Sequence, residues 1–357
     1  MTLPVVLTLT LIGAAPPSAV ESWEPQVSGT KARFRGVSAV DHRVVWASGT
    51  LGTFCRTTDG GDTWTSAHVE GAKDLDFRDV QAFDDRTAVL LSSGPGEQSR
   101  IYRTEDGGAT WSLRLKNPDA DGFLDAIAFF DRKTGLAMGD PVRGRFQVFR
   151  TEDGGVSWAP IDPEGMPPAR KGEGGFAASG TCLVTLRGTR RAWFASGGVA
   201  GARVFRTEDG GRHWSVAETP VRSDNASSGI FSLGFRDPEH GLAIGGDYAK
   251  PAQTGPYLAR SDDGGRTWKP VESGPAGYRS CLRLVDTDPG RPIWLAAGPT
   301  GTDISRDDGK TWNALGTTGY HAMSSAPGGP RVWAVGDEGR IGCLTLEPPT
   351  LRSPPRR

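Results

Sequence analysis

Short apolar runs recur along the chain and are separated by polar turn segments, a pattern typical of a protein built from many short β-strands. One kind of run is rich in small residues and ends in glycine. It occurs seven times, at Val44–Gly49, Ala88–Gly94, Gly135–Gly139, Ala192–Gly197, Gly241–Gly245, Ile293–Gly298 and Val332–Gly336. Such repetition of one unit indicates a propeller or a solenoid, so we predict an all-β fold.

An acidic, glycine-rich turn motif follows six of these runs, each time after one further strand-like run. The six copies are Thr57–Trp64, Thr104–Trp111, Thr151–Trp158, Thr207–Trp214, Ser261–Trp268 and Ser305–Trp312. Their closing tryptophans lie 47, 47, 56, 54 and 44 residues apart. A period of this length is typical of the blades of a β-propeller.

The residue types of the turn motif fit a tight turn between two strands. Its Asp-Gly-Gly core supplies a carboxylate that can accept backbone N–H bonds and a glycine that can adopt positive φ. The tryptophan begins the next strand with a large apolar face. A calcium loop would need alternating oxygen ligands and a final bidentate glutamate, which the motif lacks, so we expect no metal site. The residues with predicted structural roles are Asp59, Asp106, Asp153, Asp209, Asp263, Asp307, Trp64, Trp111, Trp158, Trp214, Trp268 and Trp312.

The two ends of the repeat predict how the ring closes. The seventh small-residue run has no turn motif after it, whereas the chain opens with a lone strand at Trp23–Val27. We therefore predict a seven-bladed β-propeller of four-stranded antiparallel blades, in which the N-terminal strand completes the last blade. Trp23 then takes the place of a seventh motif tryptophan, and one domain occupies residues 23–346. A six-bladed ring with a stray terminal strand fits the repeat count less well.

The segments outside the ring differ in composition from the repeat. Residues 1–19 contain an apolar run too short to span a bilayer and are typical of a secretory signal, although no lysine or arginine stands near the start. Residues 347–357 are rich in proline and arginine, and we expect them to be disordered. We therefore predict a periplasmic or secreted monomer without a transmembrane segment.

Composition argues against several other function classes. The net charge of −1 creates no global field that would attract nucleic acid or an anionic membrane. No Gly-x-Gly-x-x-Gly sequence follows a strand and opens a helix, so we expect no cofactor. The four cysteines form no Cys-x-x-Cys pair, which argues against zinc and favours buried free thiols. They are Cys55, Cys182, Cys281 and Cys343.

Candidate binding residues lie on the face of the propeller opposite the turn motifs. The loops of this second face are long and unlike one another, so we expect recognition there. Several of them place a charge where an inner strand begins, at the mouth of the central channel. Converging arginines suit a carboxylate; the alternative is a solvated, ion-paired rim. The candidate ligand-binding residues are Arg35, Arg78, Asp125, Asp140, Asp247, Tyr248, Arg279 and His321.

A second group of arginines stands directly before five of the turn motifs. Their spacing puts one arginine in the third strand of each of five blades. They either form ion pairs between blades, which are common and weak at surfaces, or build a basic strip that grips an extended acidic partner. The five residues are Arg56, Arg103, Arg150, Arg206 and Arg260.

The turn motif resembles the Asp-box, or BNR, repeat Ser/Thr-x-Asp-x-Gly-x-Thr-Trp, and only the fourth copy departs from it, at His213. The motif sequence Phe-Arg-Thr-Glu-Asp-Gly-Gly-x-x-Trp, together with the seven predicted blades, is most similar to the photosystem II stability/assembly factor-like group. The resemblance implies a non-catalytic lumenal or periplasmic scaffold that binds a protein through an arginine-rich surface. The long loops Glu164–Phe176 and Gly245–Pro256 depart from the photosynthetic members, so the partner's identity is not implied.

Sialidases also carry such boxes and define the alternative function, a sialidase-like exo-glycosidase with a carbohydrate ligand at the channel mouth. Sialidases hold a substrate carboxylate with three arginines and use a tyrosine nucleophile beside a glutamate, with an aspartate as the acid. Candidates by residue type are Tyr278, Glu173 and either Asp125 or Asp79. Because sialidases have six blades, we favour the binding scaffold over the glycoside hydrolase.

Overall fold

Antiparallel sheets around a central channel account for nearly all the regular structure of the described residues. The computed structural model describes residues 21–285 and 290–346. Within them the predicted all-β fold, a seven-bladed propeller of four-stranded blades, is confirmed. The predicted signal at residues 1–19 and the predicted tail at residues 347–357 lie outside the described residues.

The first three blades each use four consecutive strands, after β1 (Glu24–Val27) has opened the chain. Blade 1 contains β2 (Phe34–Ala39), β3 (Val45–Gly49), β4 (Thr53–Thr57) and β5 (Thr65–His68). Blade 2 contains β6 (Asp76–Ala82), β7 (Ala88–Ser93), β8 (Arg100–Thr104) and β9 (Ser112–Lys116), with a 3-10 helix at Gly96–Gln98. Blade 3 contains β10 (Leu124–Phe129), β11 (Gly135–Val142), β12 (Arg145–Thr151) and β13 (Ala159–Pro160).

Blades 4 and 5 are joined by two additional short strands. A 3-10 helix at Pro163–Gly165 and the strand β14 (Glu173–Gly174) precede blade 4, which contains β15 (Leu183–Thr185), β16 (Ala192–Ala195), β18 (Arg203–Thr207) and β19 (Ser215–Glu218). Blade 5 contains β20 (Ser228–Phe235), β21 (Gly241–Asp247), β22 (Leu258–Ser261) and β23 (Lys269–Pro270). The strands β14 and β17 (Gly197–Gly198) extend the blade 5 sheet on its inner side.

The last two blades complete the ring. Blade 6 contains β24 (Cys281–Val285), β25 (Ile293–Gly298), β26 (Gly301–Ser305) and β27 (Asn313–Gly316). Blade 7 contains β28 (Ala322–Ser325), β29 (Arg331–Val335), β30 (Arg340–Thr345) and, as its outermost strand, β1.

Closure by the N-terminal strand is therefore present as predicted. The strand β1 pairs with β30 in antiparallel register from Glu24 opposite Cys343 to Val27 opposite Arg340. The Trp23 ring lies 4.9 Å from the ring of Tyr320 and packs on the core between blades 6 and 7. This contact buries much of the indole, so the start of the chain is held by apolar packing as well as by backbone pairing.

The hydrogen bonds of the turn motif repeat from blade to blade. In the first copy, Asp59 Oδ1 accepts from Thr57 Oγ1 at 2.7 Å and from the Thr63 amide at 3.0 Å, while Gly61 N donates to Thr57 Oγ1 at 2.9 Å. Gly61 has a φ of 94°, which suits glycine. In the fourth copy the His213 imidazole, 2.7 Å from Asp209 Oδ2, replaces the threonine hydroxyl.

The small-residue runs form the second strands and are buried along their length, as in β3, β7 and β25. Trp46 and Trp333 of these strands are completely buried. The motif tryptophan Trp111 meets Trp46 of the preceding blade edge-on, with ring centroids 6.1 Å apart. Motif and second strand thus pack neighbouring blades against each other.

All four cysteines are buried and free of disulfides. In the part of the chain that the structure describes, no helix has both the length and the apolarity that crossing a membrane requires.

Candidate functional site

Irregular pairing at the start of four inner strands sets the orientation of four side chains near the loop-rich end of the channel. In blades 1, 2, 3 and 5 the register between the first and second strands shifts by one residue, which leaves out Arg35, Arg78, Asp125 and Phe231. Such a β-bulge bends the strand and re-aims the extra side chain. The repeated bulge therefore brings chemically different side chains to one level of the ring.

A mouth cluster of Arg33, Arg35, Asp76, Arg78 and His321 gathers at the loop-rich face. Asp76 Oδ2 lies 2.9 Å from Arg78 Nε and 3.8 Å from Arg33 Nη2. Arg35 makes no ion pair with any described residue, and its buried Nε has no hydrogen-bond partner there. Burial and the like charges of Arg78 and Arg33 lower the pKa of Arg35. Arg35 thus has no direct ion-pair partner among the described residues, although the nearby Asp76 and Asp337 carboxylates interact with its charge.

His321 and Tyr278 flank Arg35 but are largely enclosed. His321 Nε2 lies 3.0 Å from Asp337 Oδ1, and burial together with the Arg35 charge lowers the pKa of His321 in spite of that contact. Tyr278 is 4 % exposed, and burial raises its pKa although Arg35 opposes the shift. Both side chains are therefore favoured in their neutral forms.

The segment Gly174–Thr181, which leads from blade 3 to blade 4, crosses the channel below the mouth, and we call it the plug. It reaches four blades other than its own. Its polar contacts include Ala177 O with Arg78 Nη1 at 3.1 Å (blade 2), Gly175 N with Asp140 Oδ1 at 2.7 Å (blade 3), Thr181 Oγ1 with Ser232 Oγ at 2.6 Å (blade 5) and Ser179 Oγ with Ser280 O at 2.7 Å (blade 6).

Glycines of the plug lie directly against two of the predicted acids. A Cβ on Gly175 would stand 2.4 Å from Asp125 Oδ2, and a Cβ on Gly180 would stand 2.3 Å from Asp79 Oδ1. Both oxygens of Asp79 accept backbone amides, from Val80 and from Ile127, each at 2.8 Å. Burial nevertheless raises the pKa of Asp79 to about 7.

Asp125 is the more isolated of the two acids. Asp125 is 1 % exposed, and neither of its carboxyl oxygens has a hydrogen-bond partner among the described residues. Burial and then the neighbouring Asp140 charge raise the pKa of Asp125 well above its usual range, against the opposing influence of Arg78 and the Ala177 amide. Ionised Asp125 is therefore costly to the folded state.

Asp125→Asn is expected to stabilise the protein by about 1 kcal/mol or more near pH 8 and by much less near pH 4. The folded-state pKa lies above the unfolded one, so the cost is absent at low pH and grows as the pH rises towards the folded value. Urea unfolding at both pH values measures the effect. Asp79→Asn, the matched control, should destabilise the protein, because it removes the acceptor of one of the two backbone amides, Val80 or Ile127, that bind Asp79. An equal gain from Asp125→Asn at both pH values would contradict this account.

Two other predicted residues are closed in buried ion pairs. Glu173 binds Arg203 in a bidentate manner, with Nε–Oε1 at 2.8 Å and Nη2–Oε2 at 2.5 Å. Arg279 Nε lies 2.6 Å from Asp303 Oδ2, and both side chains are nearly inaccessible. With their charges compensated, Glu173 and Arg279 are available to a ligand only if these pairs open.

Two of the predicted residues, Tyr248 and Tyr278, form an aromatic ledge beside the mouth together with Phe176 and Phe231, which the sequence did not single out. Phe176 stacks on Phe231 with ring centroids 3.9 Å apart, and Tyr278 meets Phe231 edge-on at 4.7 Å. Tyr248 is 54 % exposed and caps the stack, 6.2 Å from Phe231. Asp247 beside it is buried and accepts the Ser227 hydroxyl at 2.6 Å. Because Phe231 and Tyr278 are buried, the surface that the ledge offers to a ligand consists of Tyr248 and the partly buried Phe176.

The arginines before the turn motifs do not form a free basic strip. Arg150 lies 2.9 Å from Glu152 of its own motif and donates to Gly210 O of the next blade at 2.7 Å. Arg206 and Arg260 likewise pair with the acid two residues later. The structure thus shows ion pairs mainly within each motif, and hydrogen bonds between blades.

A cleft of about 680 Å³ lies on the motif face between blades 3 and 4. Its lining includes Arg150, Ile161, Glu164 and His213. None of the eight candidate ligand-binding residues predicted at the channel mouth lines this cleft, whereas Arg150, one of the five arginines before the turn motifs, does. The predicted residues divide instead into the mouth cluster, the acids under the plug, the two ion pairs and the ledge.

These observations define a seven-bladed β-propeller with a plugged channel and a cationic, aromatic mouth. No protein-family model and no curated protein matches the chain in sequence. Solved structures match over most of its length. The structure described as "YCF48 bound to D1 peptide" is 17 % identical, with 94 % of this chain and 100 % of that chain covered and a TM-score of 0.63, and YCF48 from Cyanidioschyzon merolae is 17 % identical, with 90 % and 98 % covered and a TM-score of 0.61. The Neurospora crassa Pan2 WD40 domain is 11 % identical, with 93 % of this chain and 97 % of that chain covered and a TM-score of 0.64. YCF48 is a photosystem II stability/assembly factor, so the structural comparison agrees with the sequence resemblance. At these identities the likeness shows the fold.

Proposed function

We propose that this protein is a non-catalytic periplasmic or secreted scaffold that binds a segment of another protein at the mouth cluster and the aromatic ledge. The observation that carries the proposal is Arg35, a partly buried guanidinium that forms no ion pair with a described acid and whose Nε has no hydrogen-bond partner among the described residues. A carboxylate from a partner would give Arg35 a direct ion pair through charge-assisted, bidentate hydrogen bonds. The apolar segment at residues 1–19 supports the proposed location.

The aromatic ledge supports a protein segment as the ligand. Tyr248 presents an exposed ring and hydroxyl beside the mouth, and tyrosine is among the residues that dominate binding energy at protein interfaces. One of the structurally similar proteins is described as bound to a D1 peptide, which makes a peptide partner a reasonable proposal for this fold.

The candidate catalytic residues favour binding over hydrolysis. Asp79, Asp125, Glu173 and Tyr278 are each no more than 7 % exposed. Glycosidases need a pair of carboxyl groups that flank the bond to be cleaved. Here the two aspartates lie under the plug and Glu173 is held by Arg203, so the binding scaffold fits the geometry better.

Arg35→Gln is expected to weaken binding of acidic peptides by about tenfold, since it removes a charge-assisted hydrogen bond. An array of short labelled peptides, in matched Asp/Glu and Asn/Gln versions, identifies the binding sequences, and fluorescence anisotropy then measures their affinities. Tyr248→Ala should weaken the same peptides. Arg86→Gln, an equal charge change at an exposed turn of the motif face, should leave the affinity unchanged.

Two results would overturn the proposal. One is equal affinity for the acidic and the amide versions of every bound peptide, because Arg35 would then recognise no carboxylate. The other is hydrolysis of fluorogenic glycosides that Asp125→Ala abolishes, which would assign the channel mouth to catalysis.

A further inference from the structure

Two carboxyl groups of blade 3 meet the plug at one glycine. The amide of Gly175 donates to Asp140 Oδ1 at 2.7 Å, and a Cβ built on Gly175 would stand 2.4 Å from Asp125 Oδ2. A Cβ built on Gly174 would stand 2.9 Å from Asp140 Oδ1. The start of the plug is therefore seated directly against both carboxyl groups, with no side chain in between.

The acids under the plug differ in their hydrogen bonds. Asp79 accepts two backbone amides, and Asp140 accepts one, that of Gly175. Asp125 is buried, and both of its oxygens lack a hydrogen-bond partner among the described residues. A carboxyl group in such a place is tolerated as the neutral acid, whereas the carboxylate is strongly disfavoured.

Charged and titratable groups reach this site from neighbouring strands. Those that face it are Asp140 of β11, Arg78 and Asp79 of β6, and Cys182 directly before β15. The plug, which covers the site, has no ionisable side chain. Arg78 is the one cation of this set, and its guanidinium is already engaged by Asp76 at 2.9 Å and by Ala177 O of the plug at 3.1 Å. Burial and the Asp140 charge therefore prevail over Arg78 and raise the pKa of Asp125 well above its usual range.

We propose that the plug is a pH-operated gate, in which ionisation of Asp125 displaces Gly175 and lets the segment leave the channel. In the plugged state Asp125 holds a proton, and opening places its carboxyl group in water, where the proton is lost. An exposed aspartate has a pKa of about 4, so above that pH opening releases one proton and its equilibrium constant rises by up to about tenfold per pH unit, until the buried group itself ionises. The plug therefore stays closed in acid and opens as the pH rises.

The composition of the plug suits such a movement. Six of its eight residues are glycine, alanine or serine, so few large apolar side chains hold it in the channel. Phe176 is the exception, and because it belongs to the aromatic ledge, opening also alters the loop-rich face. The gate does not depend on the function proposed for the mouth, since release of the plug is measured without a ligand.

Site-resolved alkylation of the full chain tests the gate, because Cys182 directly follows the plug and is fully buried. Iodoacetamide labelling of each cysteine is read by peptide mass spectrometry between about pH 6 and pH 9, and Cys182 is compared with Cys343 of blade 7. The ratio cancels the common effect of pH on thiol reactivity. We expect it to rise at least about tenfold in the wild type and to stay constant in Asp125→Asn. Asp121→Asn, the same charge change at an exposed position of the preceding loop, should follow the wild type.

A constant ratio of Cys182 to Cys343 labelling in the wild type would overturn the proposal. So would an equal rise in Asp125→Asn, or parallel labelling of all four cysteines, which indicates global unfolding instead of release of the plug. If Asp125→Asn fails to fold, Asp140→Asn decides the question. It removes the like charge but keeps an acceptor for the Gly175 amide, so the rise should be several-fold smaller, and an undiminished rise would contradict the gate.

Discussion

A chain that begins at Ser28 is expected to lose about 5 kcal/mol or more of its free energy of unfolding relative to a chain that begins at Glu21. The truncation removes Trp23 and the whole of β1, which pairs with β30 over four residues. Each backbone hydrogen bond contributes about 1 kcal/mol, and burial of the indole adds about 2–3 kcal/mol. Domains are stable by only about 5–15 kcal/mol, so the truncated chain should be largely unfolded or aggregated. Circular dichroism and urea unfolding measure the loss.

The strand β1 also contacts blade 1, so its removal affects the closure of the ring as well as blade 7. Gln26 accepts the Trp64 indole N–H at 3.0 Å and donates to Gly60 O at 3.2 Å, so β1 also joins blade 7 to blade 1. Trp23→Ala keeps the strand and should cost only part of the total. A truncated chain as stable as the chain beginning at Glu21 would show that the remaining strands of blade 7 hold the ring without β1.

The sequence predicted the ring because its repeat carries the same physical role in every copy. The aspartate and glycine of the turn motif form hydrogen bonds within one hairpin, and the tryptophan packs against one neighbouring blade. The local sequence pattern is therefore sufficient to predict the blades. The last repeat lacks an outer strand after Thr345, and counting the repeats alone was enough to match this gap with the lone strand at Trp23–Val27. Closure was therefore predictable although its partners, Glu24 and Cys343, are far apart in sequence.

The candidate site was predicted less well, because its contacts do not repeat. The sequence placed Arg35, Arg78 and His321 at the channel mouth, and the structure brings these three together. It did not reveal that Arg203 pairs with Glu173, or that Gly174–Thr181 enters the channel, since both depend on contacts between blades. The available signal was a run of small residues in the longest interval between motif tryptophans, from Trp158 to Trp214.

Arg203→Met is expected to lower the free energy of unfolding by about 3–5 kcal/mol, because it leaves the buried Glu173 carboxylate without its counter-charge. Neither side chain of the pair is more than 6 % exposed. Glu173 also accepts the Ser196 hydroxyl at 2.6 Å and the Arg170 amide at 2.8 Å, so its carboxylate organises the chain that enters the plug. Urea unfolding measures the loss, and trypsin cleavage after the exposed Lys171 reports release of the segment.

The double variant Glu173→Leu with Arg203→Met separates loss of the pair from loss of charge balance. It removes both charges and should be markedly more stable than Arg203→Met alone, since replacing a buried ion pair by apolar side chains is often neutral. Trypsin should still cleave it faster than the wild type, because the bond between Glu173 and the Arg170 amide is gone. If Arg203→Met alone matched the wild type in both assays, the pair would contribute nothing to holding the plug. The plug would then depend on its own contacts with blades 2, 3, 5 and 6.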